Sequence, residues 1–208
     1  MARDGLENCD VFDNPGDRWP EANDHLLTPG RDTYIANDAC ERSFRLLRGY
    51  KRAGDILIQQ ALSDRADRDN LVFPALFNYR HYIELALKAT IESHGPFAGV
   101  TLGTKDHRLP DLWQLFVKIA TIFQVDPNYP AAIAVAKCIG EFAKIDATST
   151  TFRYAKTFRG DVPALPEGLD LINLHDVMNG IENFFECAEL DFQHKAESAA
   201  EQARDYGW

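Results

Sequence analysis

From about residue 38 onward the apolar side chains fall at three- and four-residue spacing, the period of helices that bury one face. The string "DACE", Asp38 to Glu41, has the form of a capping box and predicts a helix running to about Leu62. Asp69 and Asn70 are placed to cap a second helix ending near Ser93, with Pro74 tolerable in its first turn and "HGPFAG" as the stop. Pro110 suits the first turn of a third helix, "DLWQLFVKIATIF", and Asp126-Pro127 predicts the start of a fourth that reaches about Ile145. The segment "DATSTTFRYAKTFRGDVPALPEG" then breaks the period for roughly 25 residues, a length that in a compact domain is ordered by contacts or used for function. From about Asn173 a long final helix carries Leu174, Val177, Met178, Ile181, Phe184, Phe185 and Ala188 on one side. With no strand pair and no repeat, residues 36–208 are expected to form an all-α bundle of four to five helices.

Residues 1–35 follow no period and are rich in Asp, Asn, Pro and Gly, as in "FDNPGDRWPEAND" and "TPGRD", so they are expected to form an irregular acidic arm. They hold three Arg against eight Asp or Glu, which is half of the formal charge of -10 carried by all 208 residues. Such acidity argues against sequence-blind adhesion to nucleic acid, which needs a net basic surface, but leaves room for local basic patches. The 45% hydrophobic and 26% charged content is that of a globular domain. Cys9, Cys40, Cys138 and Cys187 are widely separated, with no His at ligand spacing, so reduced thiols are expected and neither metal nor cofactor is. The N-terminus has no apolar signal core, and no run approaches the roughly 20 apolar residues of a membrane span. A cytoplasmic protein that does not enter membranes is the expectation.

Candidate chemistry concentrates in three places. On the second helix Arg80, His81, Glu84 and Lys88 share an arc of about 100° within an otherwise apolar girth. The plainer reading is a solvated edge carrying i to i+4 ion pairs, Arg80 with Glu84 and Glu84 with Lys88. The functional one is a cleft in which Arg80 holds a phosphate and His81 or Glu84 moves a proton. On the first helix Arg42, Arg45, Arg48, Lys51 and Arg52 form a basic face suited to anions, with Asp38, Glu41 and Asp55 near enough to neutralise part of it. In the long irregular segment Arg153, Lys156 and Arg159 alternate with Phe152, Tyr154 and Phe158, a mixture that stacks and pairs with single-stranded nucleic acid or pins a loop to a core. His25, His94 and His194 stand in polar surroundings, whereas His107 directly precedes a helix in "HRLPDLW". Glu182 and Glu186 fit a solvated helix face, and neither a Gly-rich phosphate loop nor a "GxSxG" elbow occurs.

The order "NYRHYIELALKATIESHG", then "HRLPDLWQLF", then "FRYAK" and a last amphipathic helix resembles the HEPN domains, helical bundles of prokaryotic toxin, defence and nucleotide-transfer systems. The likeness covers approximately residues 40 to 195. It implies a four- to five-helix bundle that pairs as a homodimer in a toxin-antitoxin or phage-defence setting. Active HEPN ribonucleases carry an Arg followed by four to six residues and a His, which meet across the dimer to cut RNA without metal. Here Arg153 is followed by "YAKTFRGD" and Arg80 directly by His81, while the one pair at the family's interval, Arg18 and His25, lies in the arm. The resemblance therefore implies a non-catalytic HEPN-like module that binds RNA, a nucleotide or a partner protein through the basic first helix and the Arg153 region. The alternatives are a metal-independent ribonuclease with a rearranged site and a pure protein-interaction unit. The rearranged site would use Arg80, His81, Glu84 and Arg153, supported by Lys88, His107 or Tyr154.

Overall fold

The computed structural model describes residues 24–103, 107–146, 149–156, 160–163 and 165–205. The chain divides into two units, Met1–Ile35 and Ala36–Trp208. In the first, residues 24–35 form no helix, and the Thr28 hydroxyl donates to the His25 carbonyl at 3.1 Å. The second is an all-α bundle of α1 (Ala39–Ser63), α2 (Arg68–His94), α3 (Leu109–Ile122), α4 (Pro130–Ile145) and α5 (Leu171–Asp205), with no strand among the described residues. No described helix is long and apolar enough to cross a membrane.

Local chemistry sets most boundaries. Asp38 caps α1 by accepting the Glu41 amide at 2.9 Å, but the reciprocal half of the expected capping box is not made. Glu41 instead pairs with Arg45 at 2.7 Å, one helical turn further on. Helix α2 begins at Arg68 on the cap position Asp67, ahead of the expected Asp69-Asn70 cap, so Pro74 lies inside the helix instead of in its first turn. That proline removes only the bond to the carbonyl of Asn70, an exposed residue near the helix start, where water can take its place. The stop at "HGPFAG" is a short 3-10 turn, Gly95–Ala98, closed by Gly99 at a φ of 62° that only glycine adopts without strain. Asp126 does not begin α4; its carboxylate accepts the Asn128 amide at 2.8 Å in a turn, and the helix starts at Pro130.

Helix α2 is the hub. Its neighbours α1 and α3 pack on different sides, and α5 crosses both α1 and α2. Ile83, Leu87 and Ile91 are fully or almost fully buried, as are Leu112 and Ile119 on α3. Met178, Ile181, Phe185 and Phe192 of α5 supply one buried stripe, while Val177, expected on that face, is 37% exposed. An aromatic cluster ties the far ends together: Phe192 stands 5.2 Å from Phe123 and 5.7 Å from Phe116 between ring centroids. His94, expected in polar surroundings, is buried edge-on against both Phe123 and Phe192, and its Nε2 meets a Glu189 carboxylate oxygen at 2.9 Å.

Candidate functional site

The polar stripe of α2 divides into two structures that face different surroundings. Arg80 is fully buried, and each part of its guanidinium has an internal partner. Nη1 donates to Glu84 Oε2 at 2.7 Å, and Nη2 donates to the His107 carbonyl at 2.9 Å. Nε lies 3.3 Å from Asp146 Oδ2, an ion pair by distance that is not aligned as a hydrogen bond. The other Asp146 oxygen accepts the amides of Thr150 and Thr151 at 2.7 and 3.0 Å. One guanidinium thus joins the middle of α2, the lead-in to α3 and the exit from α4.

Glu84 completes this network. Its Oε1 meets Lys88 Nζ and His107 Nδ1, each at 2.8 Å. Burial pushes the carboxyl pKa up, but hydrogen bonds from Lys88, His107 and Arg80 outweigh it and hold the group at about 2. The i to i+4 pairs anticipated from the sequence are present, but the edge that carries them is not wet. Asp146 and the backbone of His107 cover it, and Glu84 is 3% exposed. With its donors engaged and no open face, Arg80 cannot hold a substrate phosphate without dismantling this junction.

His81 points elsewhere. Its ring stacks on Phe77, 5.7 Å away at an interplanar angle of 7°, and meets Tyr50 of α1 edge-on at 4.3 Å. Among the described residues it makes no hydrogen bond, so both ring nitrogens are available. Burial lowers its pKa below the ordinary histidine value; Glu84 opposes the shift, and the positive charges of Arg80, Lys88 and Arg153 add to it. The imidazole is therefore neutral at neutral pH.

Arg153 reaches this cluster from the irregular segment. Its guanidinium sits 5.6 Å from the Phe77 ring centroid and 5.5 Å from that of Tyr154, within cation–π range of both. Nε donates to the Ser149 carbonyl at 2.7 Å, and Nη2 donates to the same oxygen. Ser149 has a φ of 61°, a strained setting for a non-glycine residue. Beside this turn lies a cavity of about 420 Å³ whose walls include Phe73, Phe152, Val162 and Leu165 together with Arg153 and Tyr154. Lys156 is exposed nearby in sequence, and Arg159 lies outside the described residues. An exposed tyrosine and a cation beside an apolar hollow suit a flat, anionic ligand.

The basic face of α1 does not join this surface. Lys51 is buried, its ammonium held by Asp55 at 2.9 Å, Asn179 at 2.9 Å and Glu182 at 3.0 Å, so Glu182 is not a purely solvated acid. Arg45 pairs with Glu41, and Arg48 lies over the Phe44 ring at 5.5 Å. Arg42 and Arg52 are exposed with no ion pair among the described residues. Arg45, Arg48 and Arg52 lie about 160–220° around the helix from Tyr50, which faces His81. They and Arg153 are on different sides of the bundle.

Hydrophobic periodicity does not single out Tyr50, Phe73 and Phe77 from the other apolar helix positions. The one available signal was Phe77 four residues before His81, a spacing that stacks rings on a helix. Among the described residues Cys40, Cys138 and Cys187 are free thiols, and no group of three His, Cys, Asp or Glu is placed to hold a metal. In comparisons with known proteins the chain matches no family model, no curated protein and no solved structure.

Proposed function

We propose that this chain is a non-catalytic HEPN-like module that binds single-stranded RNA or a nucleotide at the ring cluster around Arg153. The observation that carries this reading is the Arg153 guanidinium over the Phe77 and Tyr154 rings, beside His81. Base stacking on such a platform is sequence-tolerant, and the guanidinium supplies charge for the backbone phosphate. Enclosure of Arg80 and Glu84 in a structural junction supports the non-catalytic part of the reading. The toxin or phage-defence setting, the homodimer and the cytoplasmic location belong to the same proposal and rest on the resemblance of "NYRHYIELALK", "HRLPDLW" and "FRYAK" to the family. Fluorescence anisotropy with labelled single-stranded RNA tests it. Loss of one stacked base in Tyr154→Ala is expected to weaken binding by about 1–3 kcal/mol. Arg153→Ala is expected to lower the salt slope by about 0.7. Unchanged affinity and slope in both variants would refute the site.

A second reading is favoured by His81 itself, a neutral imidazole without a hydrogen bond in reach of the Arg153 field. In that reading His81 takes the ribose 2′-hydroxyl proton and Arg153 holds the phosphate, so the hydroxyl oxygen attacks the phosphorus and the 5′ oxygen leaves. RNA cleavage that persists in EDTA and disappears in His81→Ala would replace the binding-only reading.

A further inference from the structure

Helices α1 and α5 are drawn together at Lys51 by the bonds to Asn179 and Glu182. Beyond that bridge, along residues 39–48 of α1 and 182–190 of α5, they flank an open groove of about 750 Å³ whose floor is α2. Tyr82, Ala86 and Ala89 line this floor, and the two alanines leave room for a close backbone approach. From Tyr82 to Ser93 the floor runs about 16 Å, three turns of a helix. Large apolar side chains stand exposed at the walls, Phe44 at 57% and Leu190 at 67%.

The charges along the groove are unequal. Glu182, Glu186 and Glu189 follow one another along α5 at helical spacing, and Glu92 lines the groove from α2; among the described residues the single lining cation is Arg48, lying over Phe44. Glu182 and Glu189 have internal partners in Lys51 and His94, whereas Glu186 and Glu92 have no ion pair among the described residues. We infer that this groove takes an amphipathic helix of about three turns from a partner protein, its apolar face on the alanine floor and Lys or Arg side chains set against Glu186 and Glu92. A second copy of this chain is the weaker fit, because its formal charge of -10 repels a surface of the same sign. The site is separate from the Arg153 cluster and stands or falls independently of the RNA reading.

The probe is a labelled amphipathic peptide with Leu at helical i, i+3, i+4 and i+7 positions and Lys along one flank, titrated into the full chain. A scrambled peptide of the same composition serves as the control. Saturable binding is expected for the ordered peptide alone, with slower alkylation of the groove-lining Cys40 and no change at Cys187. Glu186→Lys should weaken it about tenfold through the lost charge pairing, and Ala89→Trp, which fills the floor, should abolish it. Both variants must match the wild type in far-UV circular dichroism and urea midpoint, and RNA affinity should be the same in all three. Equal binding of the scrambled peptide, or binding insensitive to Ala89→Trp, overturns the proposal. Sedimentation showing a wild-type dimer that Ala89→Trp converts to monomer also overturns it, by assigning the groove to a second copy.

Discussion

Glu84→Gln separates a structural network from a catalytic one. The Glu84 carboxyl is held at about 2 in the fold, against an ordinary value of 4.5. A depressed folded-state pKa contributes stability that is fully present above about pH 4.5 and is lost as pH falls towards about 2. The size of that contribution is roughly 3 kcal/mol. Replacing the carboxylate with an amide also takes one of the two carboxylates that pair with Arg80, leaving Asp146, at a cost of about 3 kcal/mol at neutral pH, the low end for a broken buried pair. Urea unfolding, followed by circular dichroism at a series of pH values, reads both quantities. The wild type is expected to lose about 3 kcal/mol more than the variant on passing from neutral pH into the acid range. His107→Ala is a gentler companion if Glu84→Gln fails to fold, because its exposed ring donates one of the hydrogen bonds that lower the pKa. It should move the wild-type acid transition to higher pH. Parallel stability curves for wild type and both variants would refute the claim that Glu84 is a buried anion stabilised by these donors.

Other expectations follow from single contacts. Gly54→Ala would place a Cβ 2.5 Å from the ring of Tyr79, which is fully buried and anchored through its hydroxyl to Asp55, so about 1–3 kcal/mol of urea stability should be lost. Asp38→Ala removes the α1 cap and should cost about 1 kcal/mol, with hydrogen exchange faster in the first turn alone. The His81 ring signals in NMR should titrate below the ordinary histidine pKa, and Arg153→Ala should raise that midpoint by removing a nearby cation; a midpoint unmoved by the substitution would separate the two residues.

The helices were legible because period and punctuation agree: the Asp38 cap, Pro110 at the start of α3 and the long α5 stripe all sit close to where the sequence places them. The misplaced starts share one cause. Asp69-Asn70 and Asp126-Pro127 carry the right residue types, but Asp126 serves a turn and the second helix is capped two residues before Asp69, at Asp67. The α2 stripe was read as one surface because residues 80, 81, 84 and 88 are neighbours on a wheel. Its division was decided by partners more than 20 residues away, His107 and Asp146 on one side and Tyr50 and Arg153 on the other, which no local pattern encodes. The Lys51 bridge to Asn179 spans 128 residues and was hidden for the same reason.

Asp146 touches both halves of this arrangement: one oxygen lies at Arg80, and the other fixes the amides of Thr150 and Thr151, from which the turn bearing Arg153 and Tyr154 springs. The Arg153 and Tyr154 side chains are therefore carried on a turn, outside any helix or strand, that is tied to the bundle interior. A ligand arriving at those rings would not have to bear the entropy of ordering the loop, so gains in affinity should come from slower dissociation rather than from folding on contact.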